Sequence, residues 1–62
     1  MTRTEFKSRC RAAGVYAWQV AESYGCTEFT LSRMLRHPVE GEKEERLIAA
    51  IEQAAEEANA DD

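Results

Sequence analysis

Gly25 stands between two short segments with helical apolar spacing, and that placement restricts the fold more than any other feature of the chain. Within Ala17–Arg36 (AWQVAESYGCTEFTLSRMLR), Ala17, Val20, Ala21 and Tyr24 share one stripe before the glycine. A chain that turns there through positive φ strains any residue carrying a Cβ, so glycine ends the first segment. Thr27 then offers an N-cap hydroxyl, and Glu28 suits the positive end of the next helix dipole. Leu31, Met34 and Leu35 supply the inward face of that second segment. The small Ala21 lies where two sharply crossing helices would approach. The spacing predicts helices over about 16–24 and 28–36 with a tight bend between them.

The flanks complete an all-α reading. Thr2 followed by Glu5 fits a capping box, and Gly14 a left-handed stop, for a helix over about 3–13. Phe6, Cys10 and Ala13 share one face of it; Arg3, Lys7 and Arg11 recur at spacing four on another. Pro38 cannot continue the third helix and biases His37 away from helical geometry. A long fourth helix follows over about 42–58, with Leu47, Ile48, Ile51, Ala54, Ala55 and Ala58 in its apolar stripe. Glu40, Glu42, Glu44 and Glu45 crowd its start, and the tail 59–62 is expected to fray. Sixty-two residues make a single domain, expected as a compact four-helix fold spanning 1–62. Its expected core is Phe6, Cys10, Val20, Ala21, Tyr24, Leu31, Met34, Leu47, Ile48 and Ile51.

The formal net charge of −4 averages two unlike halves. Met1–Pro38 holds six basic and three acidic residues; Val39–Asp62 holds two basic and nine acidic. No apolar run reaches the roughly 18–20 residues of a membrane span, and no apolar stretch follows the first charges as in a secretory signal, so a cytoplasmic protein with no membrane partner is expected. Cys10 and Cys26 have no close Cys or His partner. They read as small buried hydrophobes in a reducing compartment, although their spacing leaves a disulfide open. No metal site and no cofactor are expected. Nor is enzyme activity, since no nucleophile, base and orienter set occurs; His37 beside Pro38 reads as part of a helix end.

Small, turn and anchor positions at these spacings make 17–36 read as a helix-turn-helix, with a plain helical hairpin as the simpler alternative. The run AGVYAWQVAESYGCTEFTLSRMLR, then EGEKEERLIAAIE, resembles small helix-turn-helix proteins of phages and bacterial conjugative or other mobile elements, over Ala13 to Ala50. The resemblance implies a sequence-specific, DNA-binding transcriptional regulator whose helix 28–36 enters the major groove of double-stranded DNA. Its N-terminal and outward residues would then make the contacts: Thr27, Glu28, Thr30, Ser32 and Arg33. Arg33 suits a bidentate contact to guanine. Arg36, with Gln19 on the preceding helix, would hold phosphates. Glu28 would accept from a cytosine amino group, or simply satisfy the helix dipole. Phe29 could contact a thymine methyl or simply belong to the core, and is expected in the core or partly exposed. Trp18 is expected to pack under the first or last helix rather than mark a partner surface. The stripe Arg3, Lys7 and Arg11 reads equally as a phosphate contact or a solvated face.

Phosphate neutralisation dominates DNA affinity, so an acidic chain also admits a rival reading. In it the fold serves protein interaction, and the acidic last helix imitates phosphates to antagonise a host nucleic-acid enzyme. Helix 42–58 could alternatively pair with its twin in a homodimer, doubling the DNA contacts. The positions of Glu28 and of the carboxylates at 40–57 separate these readings: a recognition side rich in arginine favours DNA, and an acidic one opposes it.

Overall fold

The computed structural model describes residues 1–60, and all four of its elements are helices: α1 (Arg3–Ala13), α2 (Ala17–Tyr24), α3 (Glu28–Met34) and α4 (Glu42–Ala60). Local capping explains most boundaries. Thr2 Oγ1 accepts the Glu5 amide at 3.2 Å and opens α1. The expected reciprocal half of the capping box does not form; the Glu5 carboxylate takes the Thr2 hydroxyl at 3.4 Å instead. At the other end Gly14 adopts φ 73°, its N–H donates to Arg11 O, and Val15 N–H reaches Cys10 O. Gly25 repeats the device at φ 94°, with Cys26 N–H donating to Ala21 O. Both are Schellman closures, in which the residue after the glycine packs toward the residue whose carbonyl it caps.

Three boundaries differ from the sequence pattern. Tyr16 is the N-cap of α2, not its first residue. The third helix ends at Met34 rather than Arg36: Leu35 is its cap at φ −80°, ψ 1°, and Arg36 N–H makes a tighter bond back to Arg33 O. Closing the helix early lets Leu35 and, past Pro38, Val39 both reach the interior. The fourth helix runs to Ala60, through part of the segment expected to fray, because Ala58 and Ala60 favour helix. The remainder of that expected frayed tail, 61–62, lies outside the described residues.

The core joins all four helices. Phe6 and Cys10 come from α1, Val20 and Ala21 from α2, Leu31 from α3, and Leu47, Ala50, Ile51 and Ala54 from α4. Leu31, Leu47 and Val20 are its most enclosed large side chains. Tyr24, Met34 and Ile48, expected inside, are only partly buried against this cluster. α4 packs mainly on α2 and also on α1, while α3 packs on α2. Met1 and Val39 add a clasp that no local pattern announces. Val39 N–H donates to Met1 O at 2.8 Å, the Met1 nitrogen donates to Val39 O, and both side chains are buried. The Met1 nitrogen also lies 3.2 Å from Glu44 Oε2, tying the start of α1 to the start of α4. Among the described residues, no helix is long and apolar enough to cross a membrane.

Candidate nucleic-acid interface

The two flanks of α1 face different neighbours. Residues four apart lie on one side of a helix, so Arg3, Lys7 and Arg11 form a row. Arg3 and Lys7 line a shallow groove with Glu28 and Ser32 of α3, floored by Phe6 and Leu31. The groove continues past Lys7 to Arg11 and Tyr16. The other flank of α1, with Arg9, Ala12 and Ala13, borders Ile48, Ile51 and Glu52 of α4. Arg3 and Lys7 of the basic row thus lie beside α3, while Arg9 and Glu52 lie on the other flank of α1, and the glutamate-rich start of α4 meets the beginning of α1 through Met1 and Glu44.

Arg3 locks the first of these arrangements. Its Nη2 donates at 3.0 Å to both the hydroxyl and the carbonyl of Ser32, across 29 residues of sequence. Arginine keeps further N–H donors free beyond those two bonds. Among the described residues, no lysine or arginine side chain lies within 4.0 Å of a carboxylate. The cations of the groove thus make no direct ion pair, although the Glu28 carboxylate shares the groove with them.

The residues singled out by sequence have distinct surroundings on this frame. Thr27 Oγ1 caps α3 by accepting the Thr30 amide at 3.1 Å, and its hydroxyl donates to Thr30 Oγ1 at 3.0 Å. Ser32 is held by Arg3. Gln19 Oε1 accepts the Tyr16 amide at 2.8 Å, so it caps its own helix, on a side bordered by Trp18 and by Glu57 of α4. Glu28 is exposed in the basic groove. Arg33 is exposed on α3, and Arg36 is exposed in the turn just after it. The structure brings Glu28 and Ser32 together with Arg3 and Lys7; Gln19 stands apart from that cluster, against the end of α4.

Phe29 departs from expectation: it is 71% exposed, on the face of α3 opposite the buried Leu31. Arg33, one turn later, holds its guanidinium 5.9 Å from the centre of the Phe29 ring, a cation–π distance. The hydrophobicity of Phe29 argued for the core or partial exposure, whereas its helical phase argued for solvent. The stripe Leu31, Met34 and Leu35 already turns position 29 outward. Trp18 is 49% exposed and lines a shallow pocket with Ala54 and Ala58 of α4. Tyr24 is covered by Arg46, whose guanidinium lies 5.0 Å above its ring.

The chain matches no family model, no curated protein and no solved structure. The chemistry of the surface therefore carries the functional reading. Cys10 and Cys26 are both free thiols. Among the described residues, no three His, Cys, Asp or Glu side chains gather as a metal would require.

Proposed function

We propose that the protein is a sequence-specific DNA-binding regulator, with α2 and α3 used as a helix-turn-helix and α3 presented to the major groove. The observation that carries this reading is the groove in which Arg3 and Lys7 of α1 join Ser32 and Glu28 of α3, with the acidic α4 against the other flank of α1. A duplex needs cations along the phosphates on either side of the helix that enters the groove. Arg3, Lys7 and Arg11 supply one such row, and Arg36 supplies a cation just beyond the end of α3. Among the described residues these side chains make no direct ion pair, so phosphate would compete for them only with the nearby Glu28. The resemblance to small regulators of phages and mobile elements agrees with this assignment, and a cytoplasmic location would follow from it.

The reading is tested by charge removal on the two sides of α1. Lys7→Gln with Arg11→Gln should weaken binding to duplex DNA uniformly across sequences. Glu52→Gln with Glu56→Gln on α4 should not weaken it. Equal effects from the two pairs, or a loss only with the α4 pair, would contradict the assignment. A pair of α4 variants that instead released a bound protein would favour the acidic-antagonist reading, in which α4 is the working surface.

A further inference from the structure

Most of the polar side chains expected to read bases on α3 already have partners. The hydroxyls of Thr27 and Thr30 bond each other, and Ser32 is held by Arg3. What projects without a polar tether from the line opposite Leu31 is a pair: Phe29, and Arg33 one turn later. We propose that Phe29 and Arg33 act as one reading unit that takes a thymine methyl and a guanine on neighbouring base pairs. The inference rests on the DNA reading of α3 and names what that helix would select.

Three physical points support it. A phenyl ring exposed opposite the core contributes little to folding, yet it offers an apolar surface suited to the C5 methyl of thymine. The ring in turn steadies the Arg33 guanidinium over its face, so less side-chain freedom is lost when the fork meets O6 and N7 of guanine. The 5.9 Å between the two groups is within reach of successive base pairs, stacked about 3.4 Å apart. The ring carries a cation of its own in Arg33, with Arg36 two residues past the end of α3 and the carboxylate of Glu28 next to Phe29 in sequence, a mixed polar setting that suits a nucleic acid better than an apolar protein partner.

The experiment begins with sites enriched by the full chain from a randomised duplex pool. Each thymine of the enriched site is then replaced singly by deoxyuridine, which lacks only the methyl, and each guanine by 7-deazaguanine, which lacks N7. At one thymine the wild type should lose about four-fold in affinity, the worth of one buried methyl-sized group. Phe29→Ala should be indifferent to that replacement. At an adjacent guanine the wild type should lose roughly ten-fold, and Arg33→Ala should be indifferent there. Both side chains are exposed, and circular dichroism checks that the variants keep their helices. The pairing is overturned if every deoxyuridine is neutral for the wild type, or if Phe29→Ala keeps the same penalty. A wild type with no salt-dependent binding to any duplex removes the DNA reading itself, and this inference with it.

Discussion

Burial pushes the Cys10 thiol above its ordinary pKa, because a thiolate would lose its hydration in the core it shares with Phe6 and Val15. The folded chain therefore holds this proton to higher pH than the unfolded chain does. As pH rises through the ordinary thiol range, the unfolded state ionises first, and stability falls there. The accompanying expectation concerns reactivity. Iodoacetamide at mildly alkaline pH should modify the partly exposed Cys26 first, and Cys10 only when the chain unfolds, as followed by mass spectrometry. Equal rates in the folded protein would contradict the burial. At this scale the sequence was legible where residue type and helical phase agreed, as at Phe6, Val20 and Leu47. It was ambiguous where they conflicted, as at Phe29. Hydrophobicity pointed inward there, phase pointed outward, and phase prevailed because Leu31 already filled the interior.

The helices were legible because their ends are encoded locally. Thr2, Gly14, Gly25 and Thr27 each stop or start a helix with atoms a few residues away. Gly25 is the most informative of these: at φ 94° it has open space around it, so an added Cβ would meet no neighbour and the cost would be backbone strain alone. Gly25→Ala should destabilise the fold by about 1–2 kcal/mol in chemical denaturation. A variant as stable as the wild type would mean that the bend between α2 and α3 does not depend on the left-handed residue. What could not be read locally was long-range. The Met1–Val39 clasp and the Arg3–Ser32 tether join residues 38 and 29 positions apart, and no periodicity reports such pairs. The early end of α3 has the same origin, since tertiary demand for Leu35 and Val39 outweighed a helical pattern that ran on to Arg36.

Taken as a whole molecule, the chain sets Arg3 and Lys7 beside α3 and the middle of the acidic α4 on the other flank of α1. The net −4 is an average over a basic row beside α3 and a fourth helix rich in glutamate. The separation was visible along the sequence as two unlike halves. Only the fold, however, puts Arg3 and Lys7 next to Ser32 and Glu28 rather than next to α4. Glu28 is the discordant carboxylate of that side, and Glu28→Gln should raise duplex affinity at low salt by relieving repulsion from phosphate. Weaker binding in a titration of that variant would instead give Glu28 an accepting contact, and unchanged binding would place it away from the DNA.

The central claim, that this basic row and α3 engage duplex DNA, is tested most directly by the salt dependence of binding. Affinity for a duplex is measured by fluorescence anisotropy over a series of salt concentrations. With Arg3, Lys7, Arg11 and Arg36 on phosphates, log K should fall linearly with log salt, with a slope of about −3.6 per protomer. Lys7→Gln should reduce that slope by about one. Absence of binding even at low ionic strength, or a slope that Lys7→Gln leaves unchanged, would contradict the account.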